Sequence, residues 1–353
     1  MRTTENLNFV FHEAIDVIKR KVTINLPDKM LEHLALLGKS PILPRLRTKC
    51  VNYNAFGGTH LGDELRMLDV VQRCKASIYE FFFFDEQPIK FEYKGDEIEI
   101  SRETFDTDIQ WLLLASDIGK AGTNSDNRAV VSTLFNDLLV TDEHSRWLFE
   151  HREDLPQIYC ELDIPAFDFS NSDLSFAPIA LVVYITCQIA RSRGIEEERI
   201  ARLSLNEGDI NELQKLGIDY KKSTMRDLWN SHIRFGEMFF DGLVVLDSRS
   251  AALVRLSLCH HLSQGIYPRC FANGELQLTG RGADLAIFLE FVDKLDAFIN
   301  RGGLDPHKSF DNVKNIFKST TRVKNDQNQI DIRIVWERIS RIDWIKLAEE
   351  LSR

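Results

Sequence analysis

Acidic residues are missing from His33 to Gly62, in a chain otherwise rich in them: 54 Asp and Glu stand against 44 Lys and Arg, a formal net charge of −10. At the chain's average, a window of that length would hold about four or five acids. Cysteine is also scarce. The six, Cys50, Cys74, Cys160, Cys187, Cys259 and Cys270, form no Cys-x-x-Cys pair, and their spacing suggests no disulfide framework, so reduced thiols are expected. Absent too are a P-loop, a dinucleotide-type Gly-x-Gly-x-x-Gly, a nucleophile elbow Gly-x-Ser-x-Gly and a His-Glu-x-x-His pair. Gly119-Lys120-Ala121-Gly122-Thr123 is not a Walker loop, and Thr279-Gly280-Arg281-Gly282-Ala283-Asp284 reads as ordinary helix capping, although a helix start with an arginine can hold an anion.

Long apolar runs are lacking as well. Met1-Arg2-Thr3-Thr4-Glu5 carries an early acid, so a secretory leader is not expected. Leu174 to Ala190 contains no charge but includes Ser175, Pro178, Thr186 and Gln188, and it sits at the short edge of the ~17–25 residues that a bilayer requires. A helix buried in a globular core fits better. A cytoplasmic protein with no membrane association is the expectation. What is present, 44% hydrophobic and 28% charged residues, is the balance of an ordinary folded chain, which excludes collagen, coiled coil and disorder as the main architecture. The negative net charge disfavours a broadly cationic nucleic-acid sleeve.

Apolar periodicity and capping signals predict an α+β, mainly helical protein: a small antiparallel sheet in an N-terminal part of residues 1–105, then a helical body of 106–353 that may subdivide near 217–224. Helices are predicted over about 6–21, 27–38, 63–75, 109–116, 126–140, 177–193, 195–203, 209–216, 224–240, 249–264, 282–300, 312–318 and 334–351. Alternation of Ile89, Phe91, Tyr93, Ile98 and Ile100 with charged residues predicts a hairpin over 89–102, turning at Gly95-Asp96. The run from Ile78 to Phe84 is expected to be a third, more buried strand.

Four constellations could carry chemistry. In the acid-free window, Lys39, Arg45, Arg47 and Lys49 interleave with Tyr53 and Phe56 and precede Gly57-Gly58. Cations pair with phosphate, aromatics stack on bases and glycines let backbone N–H groups approach an anion. A partner bearing phosphate, nucleic acid or nucleotide, is therefore the expected ligand of segment 39–59. Second, Arg226 to His232 resembles the Arg-x(4–6)-His spacing of HEPN-type ribonucleases, with the polar Asp227 after the arginine. That resemblance implies RNA cleavage in which the pair handles the proton and the phosphate charge. Arg146/His151, Arg255/His260 and Arg301/His307 satisfy the same spacing, the last interrupted by Pro306. Third, the stretch Phe240 to Arg249, an apolar strand ending in Asp247-Ser248-Arg249, resembles the core of PD-(D/E)XK nucleases. There the acids would hold Mg²⁺ and the basic residue would stabilise charge. It departs from that pattern in having Arg249 for lysine and no Pro-Asp partner strand upstream. Fourth, Cys259, His260, His261 and Cys270 are zinc-ligand types. Successive helical residues point ~100° apart, so the adjacent ones are not expected to converge, and no metal site is assigned.

Taken together, the sequence favours a binding or assembly protein that meets a phosphate-bearing partner through segment 39–59. A nuclease acting through Asp247 and Arg249 or through Arg226 and His232 is the alternative, and a protein–protein scaffold a further one.

Overall fold

The computed structural model describes residues 3–43, 59–169, 173–243, 246–319, 322–324 and 329–353, with backbone only for 3–10 and 322. The protein is mainly helical α+β, as the periodicity predicts, with a small antiparallel sheet. Its hairpin pairs β1 (Ile89–Tyr93) with β2 (Asp96–Ile100) in the register Ile89↔Ile100, Phe91↔Ile98 and Tyr93↔Asp96. The turn is Lys94-Gly95, one residue earlier than expected. Both residues have positive φ, 54° and 86°, the type I′ geometry that matches the twist of the flanking strands. The apolar side chains of β1 and β2 are buried, and β1 packs on the Arg281–Asp296 helix. Gly282 permits that approach, since a Cβ there would lie 2.7 Å from the Lys90 carbonyl oxygen.

The third strand is not the expected one. Ile78–Phe84 belongs largely to a helix, Lys75–Phe82, and the sheet is completed by β3 (Leu276–Gln277), which pairs with β1. Four consecutive phenylalanines have high strand propensity, but tertiary packing decides. Ile78 and Phe82, one helical turn apart, are both fully buried, Tyr79 and Phe83 edge against Phe105, and Phe84 is left exposed. A second short pairing, Arg322–Lys324 with Gln329–Asp331, flanks the polar link read as a simple connection.

The uncharged stretch near residue 180 forms the Ile179–Ser192 helix, buried along most of its length. Among the described residues, no helix is long and apolar enough to cross a membrane.

Apolar packing falls into two clusters. One draws on residues from Ala14 to Ala121 and from Ile233 to Leu351; the other draws on Ile42 and on Val130 to Phe235. A single helix, Met225–Asp241, serves both. Met225, Leu228 and Phe235 enter the second cluster, while Ile233, Phe239 and Phe240 enter the first. Thr224 and Asp227 close its N-terminus as a reciprocal capping box, the Thr224 hydroxyl accepting from the Asp227 N–H and the Asp227 carboxylate from the Thr224 N–H. Against this helix lies a short turn, Ile118–Ala121, in direct backbone contact. A Cβ on Gly119 would stand 1.9 Å from the His232 carbonyl oxygen and 2.4 Å from the Gly236 nitrogen. The turn thereby brings Asp117 and Lys120 beside His232.

Because neither neighbour of Gly119 is a movable side chain, Gly119→Ala should cost about 3 kcal/mol. In a thermal melt followed by circular dichroism, the midpoint should drop by about 4 °C; an unchanged midpoint would show that the contact is looser than described.

Candidate functional site

A cleft of about 400 Å³ opens at the seam between the two apolar clusters. Arg226, Trp229, Asn230 and His232 line it from the Met225–Asp241 helix; His60, Lys120, Phe135, His261, Asp293 and Arg301 line it from other elements. Arg226 is exposed, lies 5.0 Å over the Phe176 ring and makes no ion pair among the described residues. Helical spacing sets Trp229 and Asn230 beside it, three and four positions on.

The floor is a buried electrostatic cluster centred on Asp117, which is 2% exposed. One carboxylate oxygen, Oδ2, is bonded by the Lys120 ammonium and lies 3.9 Å from His60 Nδ1. The other, Oδ1, lies 3.5 Å from Nε2 of both His232 and His260 and has no hydrogen-bond partner. The two Nε2 atoms are 3.2 Å apart. Each of these imidazoles donates from Nδ1 to a backbone carbonyl, His232 to Trp229 and His260 to Ser257, because a carbonyl oxygen can only accept. His261 packs edge-on against His232 and tilted against His260, and its Nδ1 accepts from Gln264. Burial works to raise the Asp117 carboxyl, but the Lys120 charge holds it well below the carboxylate range. Burial, followed by the Lys120 charge, pushes His232 down to about 3, so its ring is neutral at physiological pH.

Beneath this floor lies a second layer of paired charges. Arg66 donates to Asp296 through Nε and a terminal nitrogen and to Asp63 at 2.8 Å. Arg301 lies 3.5 Å from Asp63 and 3.8 Å from Asp293. Glu64, fully buried beside Asp117, accepts from the Ser116 hydroxyl, and burial raises its carboxyl well above the usual value.

The residues singled out from the sequence fall in different places. Arg226 and His232 share the cleft, and Asp227 beside them is occupied in capping. Asp247 caps the Ser248–Ser257 helix, accepting from Ser250 N–H at 2.8 Å, and is not on a sheet. The expected apolar strand before it is helical to Asp241, with 244–245 outside the described residues. Arg249 is tied to Asp108 and to the Glu99 carbonyl, and neither Asp247 nor Arg249 lines the cleft. Lys39 is half-buried with its ammonium 3.4 Å from the Thr133 hydroxyl; Arg45, Arg47, Lys49, Tyr53, Phe56, Gly57 and Gly58 lie outside the described residues. Arg281 is held by Asp85 and the carbonyls of Phe82 and Gln87. Cys259 and His260 do not converge on one point, whereas His260 and His261 both reach His232. The helix ends at Ser257, both residues lie in the turn that follows, and the 100° helical increment does not apply. Nitrogens of His232, His260 and His261 lie within 4.8 Å of one another, whereas Cys259 and Cys270 are buried outside this group. Asp117, Lys120, His60 and Arg301 were not anticipated as site residues.

No protein-family model, curated protein or solved structure matches the chain.

Removing Arg66 would take away the cation that bridges two buried carboxylates, leaving Arg301, 3.5 Å from Asp63, as the cation beside them. Arg66→Ala should cost about 3–5 kcal/mol of stability, read as a lower urea midpoint at neutral pH. A midpoint within error of the parent would mean that Asp63 and Asp296 reach water or another cation.

Proposed function

We propose that the protein is a cytoplasmic nuclease that binds single-stranded nucleic acid in this cleft and cleaves its phosphodiester bonds. The observation that carries the reading is that Arg226 and His232, six residues apart on one helix, both line a single cleft. An arginine without a carboxylate partner among the described residues is a ready partner for a phosphate, and the exposed edge of the cleft adds Trp229, on which a base can stack. A cavity of about 400 Å³ suits one nucleotide unit rather than a duplex, which is why an unpaired strand is the favoured substrate. The described cysteines are all free, in keeping with a cytoplasmic setting.

In such a cleavage, an oxygen nucleophile forms one bond to phosphorus as the bond to the leaving oxygen breaks. The nucleophile gives up a proton and the departing alkoxide gains one. Arg226 neutralises charge that grows on the non-bridging oxygens. The neutral His232 imidazole supplies the electron pair that draws the proton away. The binding reading based on 39–59 rests almost wholly on residues outside those described, whereas the cleft supplies recognition and reactive groups together.

Labelled single-stranded RNA and DNA incubated with the full chain should be cut. Arg226→Ala should reduce kcat/KM by about 100-fold or more, His232→Ala should abolish cutting, and Asp247→Ala should leave it unchanged. Intact substrate after prolonged incubation with the parent protein, or cutting that survives both cleft substitutions, would overturn the reading.

A further inference from the structure

Three potential ligand atoms converge behind the cleft wall: Nε2 of His232, Nε2 of His260 and Oδ1 of Asp117. The carbonyls of Trp229 and Ser257 take the Nδ1–H of His232 and His260, so Nε2 is the nitrogen that each ring has left to present to a ligand. These two nitrogens meet at 3.2 Å, and the Asp117 Oδ1, itself buried without a hydrogen-bond partner, stands 3.5 Å from both. Two acceptors at such distances repel, and an ionised carboxylate makes the repulsion worse. A cation between them, either a metal ion or a proton carried on one imidazole, turns the arrangement into an attractive one.

The dimensions specify which cation. A triangle with sides of 3.2, 3.5 and 3.5 Å has its centre about 2.0 Å from every corner. Zinc bonds to imidazole nitrogen and carboxylate oxygen are about 2.0–2.2 Å, and tetrahedral geometry at about 2.05 Å puts ligand atoms about 3.3–3.4 Å apart. Octahedral geometry at the same bond length would bring them to about 2.9 Å, closer than any side observed. The surroundings also match those of a metal site. Both imidazoles are oriented by backbone carbonyls, and the second carboxylate oxygen of Asp117 is bonded by Lys120, which leaves Oδ1 as the ligand atom.

We propose that Asp117, His232 and His260 bind one Zn²⁺ ion through Oδ1, Nε2 and Nε2. A site with three protein ligands keeps one tetrahedral position for water or a phosphate oxygen, the arrangement of catalytic rather than structural zinc. His232 lines the cleft, and His261, also on the cleft, packs against both ligand rings, edge-on to one and tilted to the other. The assignment stands on ligand geometry alone and not on the nuclease reading, so either can fail without the other.

The full chain, stripped with a chelator and dialysed, is titrated with Co²⁺ as a spectroscopic substitute for Zn²⁺. One equivalent should produce the intense visible absorption of a tetrahedral Co²⁺ site, one equivalent of Zn²⁺ should abolish it, and X-ray absorption at the zinc edge should show two imidazoles in the first shell. His260→Gln and Asp117→Asn should each weaken Zn²⁺ binding by about 100-fold or more, whereas His307→Gln, on an exposed helical position, should leave it unchanged. A parent protein that gives no tetrahedral Co²⁺ spectrum, or that binds zinc equally well after His260→Gln and Asp117→Asn, would overturn the proposal. Should a variant fail to fold, the cobalt spectrum and the imidazole count of the parent still decide. Zinc uptake without nucleic-acid cleavage would uphold the metal site and reject the nuclease; cleavage indifferent to chelation, with no uptake, would do the reverse.

Discussion

Asp117 is an ionised carboxylate in the interior of a helical protein, and much of the site is arranged around the need to compensate it. An unpaired charge at that depth costs several kcal/mol, so its partners are not optional. Lys120 takes one oxygen from three residues along the same turn, and His232 and His260 converge on the other. The turn must then press against the Met225–Asp241 helix, which requires glycine at 119. One charge thus dictates a backbone contact, and the backbone contact fixes the imidazoles.

The Met225–Asp241 helix is the second determinant. Apolar residues on different sides of it bury into different clusters, so its remaining surface lies at their boundary. Polar residues can gather there without taking apolar contacts from either core. Boundaries of this kind commonly hold ligand pockets. The paired charges below, Arg66 with Asp63 and Asp296, carry the demand for compensation one layer deeper.

The elements legible in the sequence were those set by local pattern. Strict alternation in Ile89–Ile100 marked the hairpin, and Thr224 marked the start of the helix that became central. The four phenylalanines from 81 misled because β-propensity and burial on a short helix place the same residue types in a row, and the choice is made by Phe105 and other distant contacts. Of the site, Arg226 and His232 were visible as a spaced pair, whereas Asp117, His60 and Lys120 carried no motif. An aspartate following the apolar run Trp111 to Ala115 at the end of the Phe105–Ser116 helix was the one available sign, since a charge in that position must find a buried partner. The helical argument separated Cys259 from His260, and the meeting of His260 with His232, 28 residues apart, has no local pattern that could announce it.

Sharing one helix between two apolar clusters also restricts how this chain can be taken apart. A cut anywhere that separates the clusters strips one side of Met225–Asp241 of its cover and parts Asp117 or His260 from His232. Fragment complementation or domain exchange would therefore have to keep this helix with both of its neighbours. The same rod that holds the halves together holds the reactive groups, and the molecule cannot loosen one seam while preserving the other.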